Sequence, residues 1–264
     1  DFNNDTVYLV TTPGEYVYVG HLVVEFDENG VVTGIDDISN PVLVTNTIGD
    51  SALYYAVTEP VMNYVAGLAA NVIGATDVDL DGIKSKIRTV ETNEGNLVAD
   101  ALLWQAEQLH SGFGVNAPDV AIQNGGGIRN NSIITAGTDI SELTTFDILP
   151  FANFVCIAEN ITPGEFKEIL ENAVSRVEFV DGRFGQIAGF KFIWDPNGTP
   201  QEIDVNGNIT TPGTRIVDVE LDNGIKIVEN GIVNPAAPGL NIATIDFLTR
   251  GGDQYIHMDN SFTT

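Results

Sequence analysis

Val120-Ala121-Ile122-Gln123-Asn124-Gly125-Gly126-Gly127-Ile128-Arg129 is the stretch around which the chain is organised. An apolar run enters three glycines and leaves at an arginine. The run reads as a short buried strand. Glycine admits backbone angles closed to other residues and lets a ligand approach the main chain. Consecutive N–H groups in such a turn can form an anion-binding concavity, and an arginine at its exit adds a fixed fork of donors. A tight turn with a surface arginine has the same local sequence, because glycine-rich turns are common. The surroundings must decide.

Length and charge narrow the classes. With 264 residues, 43% of them hydrophobic, the chain can bury a full core, as one large domain or one and a half. The net charge of −26, from 37 acids against 11 bases, excludes nucleic-acid binding through a basic surface and adhesion to anionic lipid. No apolar run approaches the ~18 residues of a membrane span. The polar opening, Asp1-Phe2-Asn3-Asn4-Asp5, does not read as a signal peptide. The acids are scattered, which fits a solvated surface and suits a secreted or salt-exposed protein. An anionic ligand would have to be met by some of six arginines: Arg88, Arg129, Arg176, Arg183, Arg215 and Arg250. Cys156, in Phe154-Val155-Cys156-Ile157, reads as a small buried hydrophobe.

The N-terminal part reads as an antiparallel ribbon. Val7-Tyr8-Leu9-Val10, a Pro13-Gly14 turn and Tyr16-Val17-Tyr18-Val19 come first, and His21–Phe26 follows. Asp27-Glu28-Asn29-Gly30 is a hairpin signal before Val31-Val32. Residues 51–73 predict a long helix, kinked or split at Pro60, stopped at Gly74 and packed on more than one side. Asp77-Val78-Asp79-Leu80-Asp81-Gly82 opens like a calcium loop, but Arg88 occupies the twelfth position where a bidentate Glu is needed, so a polar turn is expected. Thr92 or Asn93 caps the next helix, with Glu94 in its first turn and Val98, Ala101, Leu102, Gln105 and Leu109 as its stripe. Arg88, just before that helix, is placed either to meet an anion or as an exposed side chain.

After the glycines, Asp139-Ile140-Ser141-Glu142 signals a short helix ending near Asp147, and Thr162-Pro163-Gly164-Glu165 a second one. Phe166, Ile169, Leu170, Ala173, Val174 and Val177 make the second helix a core element. Phe190–Trp194 reads as a strand, and Val217–Leu221 with Ile225–Val228 as a hairpin. Phe151 is either core or a stacking surface, and Gly251-Gly252-Asp253 either a turn or a site. His21, His110 and His257 are far apart and no Cys cluster occurs. No zinc or dinuclear phosphoesterase site is therefore expected, and no Gly-x-Ser-x-Gly or P-loop pattern occurs. The parts of a ligand pocket are present without visible catalytic machinery.

Five motifs occur in order: Arg88-x-x-Glu91-Thr92-Asn93-x-Gly95-Asn96-Leu97, Asn124-Gly-Gly-Gly-Ile-Arg129, Leu149-Pro150-Phe151, Gly185-Gln186-x-x-Gly189 and Phe247-Leu-x-x-Gly251-Gly252-Asp253. Together they resemble the C-terminal substrate-binding domain of the 5′-nucleotidase / UDP-sugar hydrolase / cyclic-nucleotide phosphodiesterase family. The resemblance implies an α+β fold with mixed sheets and packed helices over 75–264, remnant strands of an upstream catalytic domain in 1–50, and a linker helix over 51–74. That upstream metallophosphoesterase domain would carry two divalent metal ions, and none is expected within this chain. Phe151 and Phe247 would sandwich a nucleobase, Asp253 would hold the ribose, and Arg88 and Arg129 the phosphate. Asn124 would bond near the base or phosphate and Asn153 would reach the base edge. Gly126 and Gly189 would let the backbone approach the ligand. Some members carry a further arginine where this chain has Val90, which leaves monophosphates, polyphosphates and nucleotide sugars open. The expected location is extracellular, periplasmic or cell-surface. A non-catalytic nucleotide-binding module that retains the fold is the alternative.

Overall fold

The computed structural model describes residues 8–12, 16–44 and 49–264. Two compact units divide the chain, Asp1–Tyr64 and Val65–Thr264.

In the first unit Tyr18–His21 pairs antiparallel with Asn40–Leu43, and Val24–Phe26 with Val32–Ile35. The expected hairpin forms because Asp27 Oδ1 accepts from the backbone N–H of Asn29 and Val31, and Gly30 takes the left-handed backbone (φ 80°) that closes the turn. Of the expected opening strand, Tyr8, Leu9 and Val10 have irregular backbone, while Val7 and the Pro13-Gly14 turn lie outside the described residues.

The long helix differs from the expectation at both ends. Asp50 caps Ser51–Leu53, and Tyr54–Thr58 then winds as a π-helical turn, with Glu59 N–H reaching Tyr54 O. Pro60 explains the widening: it has no N–H for the carbonyl four residues back, and its ring crowds that carbonyl. Regular helix runs only from Glu59 to Ala70, and none of its residues is buried, so the expected multi-sided packing is absent among the described residues. Val72–Ala75 is a strand on Asp139–Ser141 rather than the helix end. Val72 and Ile73 are β-branched, and Glu142 N–H bonds Asn71 O just where the strand begins.

The second unit is built on a five-stranded mixed sheet. Its strands are β1 (Val120–Asn124), β2 (Val155–Ile161), β3 (Gly185–Ala188), β4 (Leu240–Ile245) and β5 (Ser261–Thr263), in the order β3-β1-β4-β2-β5. Only β1 and β4 pair in parallel (Ile242 opposite Val120). β1 is buried along its whole length, the apolar Val120-Ala121-Ile122 and the polar Gln123 and Asn124 alike. Helix α1 (Asn93–Phe113) packs on this sheet through Ala99, Leu102 and Ala106, while Val98 joins a smaller cluster with Ile87, Ile128 and Ile148. The buried stripe is thus rotated from the expected one, and Ala101 is exposed. Small alanines let helix and sheet approach closely, a preference that large-residue periodicity does not reveal. Thr92 Oγ1 caps α1 by accepting from Gly95 N–H at 3.0 Å, and Gly114 ends it in the left-handed region.

Helix α2 (Pro163–Ala173) starts with the expected capping box between Thr162 and Glu165. It packs on a four-stranded meander of Phe190–Trp194, Ile216–Leu221, Lys226–Glu229 and Ile232–Val233. Phe166 meets Phe190 edge-on at 5.1 Å, and both belong to the main core. A buried side chain of this size contributes about 1.5–3 kcal/mol by leaving water. The two sheets join at Gly189 (φ 83°), where a Cβ would stand 2.8 Å from Asp119 O. Asp79 and Asp81 spend their carboxylates locally: Asp79 accepts from Ala136 N–H, and Asp81 from Ile83 N–H and from Lys86 at 2.5 Å.

Candidate functional site

A cavity of about 420 Å³ opens at the end of β1 where the chain enters the glycines, lined by Arg88, Asn124, Gly126, Arg129, Phe151, Asn153, Phe247 and Asp253, together with Gly127, Gly182 and Ile245. Eight of the nine residues singled out in the sequence therefore share one wall. Gly189 does not join them. Its closest neighbours are Asp119 and Val120, so its lack of a side chain serves the junction between the two sheets. Gly127, Gly182 and Ile245 were missed. Gly182 carried only the signal of an Asp-Gly turn.

The glycine turn works differently from the anion-binding concavity expected of it. Gly125–Gly127 forms one 3₁₀ turn, and none of the three has a positive φ. The N–H of Gly125 goes to Phe184 O and that of Gly126 to Gly182 O, each at 2.7 Å, so neither faces a ligand. Close packing demands the glycines instead. A Cβ on Gly125 would lie 2.5 Å from Ile87 O, one on Gly126 3.1 Å from Gly182 Cα, and one on Gly127 2.3 Å from Gln123 Nε2. The turn draws the Arg88, Arg129 and Gly182 segments together.

The polar groups form a chain. Gln123 Nε2 donates to Asn124 Oδ1 at 2.9 Å, and Asn124 Nδ2 donates to Asp253 Oδ2 at 2.6 Å. Asn124 is therefore held by Asp253. Asp253 has left-handed backbone (φ 51°), and its carbonyl accepts from Asn172 Nδ2 at 3.1 Å. Asn172 in turn accepts from Arg183, whose own carbonyl takes the hydroxyl of buried Tyr255 at 2.7 Å. Burial pushes the Tyr255 pKa far up, so the phenol remains a neutral donor. Gly251 (φ 81°) and Gly252 allow the turn: a Cβ on Gly252 would lie 2.6 Å from the Phe247 ring.

The two arginines are held side by side. Arg88 ends the short helix Lys84–Ile87, donates from Nη1 to Val180 O at 3.4 Å, and has a buried Nε with no partner. Desolvation, then the like charge of Arg129, lower its pKa against the opposing pull of Asp253 and Asp181. The Arg129 guanidinium lies 5.6 Å from the ring centre of Phe151. Phe151 and Phe247 are 52% and 43% exposed, too open for core residues. Their segments are tied together by Asp246, which accepts from Phe154 N–H at 2.8 Å while its own N–H bonds Phe154 O at 3.0 Å. The cavity thus offers two cationic forks, two open aromatic faces and one carboxylate. Among the described residues no group of three or more His, Cys, Asp or Glu is placed to hold a metal ion.

Such a wall has the parts of a ligand pocket: a concave, partly apolar surface with a few convergent polar groups. The chain belongs to the 5′-nucleotidase C-terminal domain family, whose model matches residues 72–260. The trifunctional nucleotide phosphoesterase protein YfkN of Bacillus subtilis is 29% identical over 92% of this chain, which spans 16% of that protein. The snake venom 5′-nucleotidase of Naja atra is 28% identical over 90% of this chain and 42% of its own length. The crystal structure of the 5′-nucleotidase precursor of Thermus thermophilus superposes with a TM-score of 0.63 at 26% identity, covering 94% of this chain and 44% of that one. The chain thus spans less than half the length of these relatives. No described helix is long and apolar enough to cross a membrane.

Proposed function

We propose that this chain recognises nucleotides for a metal-dependent nucleotidase whose hydrolytic step and two divalent ions reside in an upstream metallophosphoesterase domain. The observation that carries the reading is the convergence of eight residues, spread from Arg88 to Asp253 in sequence, on one cavity. Phe151 and Phe247 stack the base, Asp253 accepts from the ribose hydroxyls, and Arg88 and Arg129 take the phosphate. Asn153 reaches the base edge. The unpartnered Arg88 Nε supports the phosphate assignment. A buried donor left without an acceptor costs about 1–3 kcal/mol, which an incoming phosphate oxygen relieves. By this reading the chain alone binds nucleotide without hydrolysing it. The acidic surface and the venom relative support an extracellular, periplasmic or cell-surface setting.

Calorimetric titration of the chain with AMP and with adenosine tests the reading. Phe247→Ala is expected to weaken both by about 1–3 kcal/mol. Unchanged affinity for both would remove the stacking role and with it the nucleotide assignment.

A further inference from the structure

Glu94, in the first turn of α1, has no exposed surface (0%). Its Oε2 accepts from Asn130 Nδ2 at 3.0 Å. Its Oε1 and the Oδ1 of Asn130 are both buried and both lack a partner. The two oxygens converge: each lies 2.4 Å from the point that a Cβ on Gly82 would occupy. Two acceptors cannot bond each other, but a single hydrogen between them would satisfy both.

The surroundings do not favour a charge there. Asp81, of like sign, acts on Glu94 and is itself held by Lys86 at 2.5 Å. Among the described residues Glu94 forms no ion pair. Lys84 offers its backbone N–H, and that goes to Asn131 Oδ1 at 2.9 Å. The N-terminus of α1 favours an anion by at most about 2 kcal/mol. An unpaired buried ion costs more than that.

We propose that Glu94 keeps its proton at neutral pH and donates it from Oε1 to Asn130 Oδ1. This closes a ring of two hydrogen bonds between a carboxylic acid and a carboxamide, and clamps the start of α1 to the turn that carries Arg129. Burial first, and Asp81 after it, push the Glu94 pKa up against the opposing pull of the Asn130 amide. Arg129 is thereby fixed from both neighbours, since its own N–H bonds Ile148 O at 2.9 Å. Glu94 is a positioning residue: it acts on the cavity through Asn130. The consequence for ligand binding rests on the nucleotide reading, whereas the protonation does not.

An acid whose folded pKa is raised stabilises the fold fully below its ordinary value. That contribution is lost as pH rises, because the unfolded chain ionises first. Glu94→Gln keeps both hydrogen bonds of the ring and removes the titration. The experiment compares the whole chain with this variant by urea unfolding across pH and by infrared difference spectroscopy at neutral pH. Above the ordinary glutamate range, the wild type should lose folding equilibrium constant relative to the variant, by about tenfold per pH unit, until the raised value is reached. It should also show a protonated-carboxyl C=O band that the variant lacks. Parallel stability curves with no such band would overturn the proposal. Should the variant fail to fold, carbon-13 labelling of glutamate in the wild type decides the matter through the same band. Neither readout involves a nucleotide, so failure here and failure of the functional reading are distinguishable.

Discussion

Arg215 and Arg88 are both drawn into the interior, and their surroundings are opposite. Arg215, 4% exposed, is partnered at every guanidinium nitrogen. Nη1 donates to Val174 O at 2.6 Å, Nη2 to Glu178 at 2.6 Å and Nε to Gly198 O at 3.3 Å, while Trp194 lies 5.9 Å beneath the group. Arg88 has one long bond, an orphaned Nε and a like charge for a neighbour. A guanidinium whose donors are all matched by protein holds structure together. One whose donors are left unmatched beside a second cation stores the capacity to bind an anion. Burial alone does not separate the two; completeness of partners does.

The largest expected effect breaks the first of these regions. Arg215→Ala leaves the Val174 carbonyl unpartnered and removes the stem packed against Trp194, and should destabilise the chain by about 3 kcal/mol in urea unfolding. A loss below about 1 kcal/mol would place Arg215 among surface ion pairs of little worth. Arg129→Ala sharpens the other side: it should cost AMP about 1.5–3 kcal/mol of affinity and leave adenosine nearly unchanged. Equal losses for the two ligands would show that Arg129 supports the pocket instead of the phosphate. The smallest effect is the most discriminating. Arg88→Ala should change unfolding stability by less than about 0.5 kcal/mol, or raise it, because an unmatched and repelled cation disappears. Destabilisation as large as that of Arg215→Ala would erase the distinction.

Much of this was legible in the residues. Caps and turns are local, so Thr92, Thr162 and the Asp27–Gly30 hairpin could be read directly. The candidate site residues were legible through five motifs in order and the family these resemble, since the local sequence alone left Arg88, Phe151 and Asp253 open. Properties created by contact across the fold were not. Nothing local distinguishes Glu94 at 0% exposure from an ordinary first-turn glutamate, since the cover comes from Asn130 and Gly82. The glycines at 125–127 were read for their torsions, yet they are required by Ile87, Gly182 and Gln123 pressing on them. The resemblance implies that Gly189, the last residue of Gly185-Gln186-x-x-Gly189, approaches the ligand, whereas it lies at the sheet junction beside Asp119 and Val120. The strand at Val72–Ala75 was hidden because its partner, Asp139–Ser141, lies far along the chain.

The tie through Asp246 has a consequence for how the cavity keeps its width. Phe151 lies four residues before β2 and Phe247 two residues after β4, and the pairing of those strands sets Val155 opposite Ile245. The two segments that carry the rings are therefore anchored to one rung of a backbone ladder. A sheet can be remodelled at its far end, in the hairpins and crossovers, without moving that anchor.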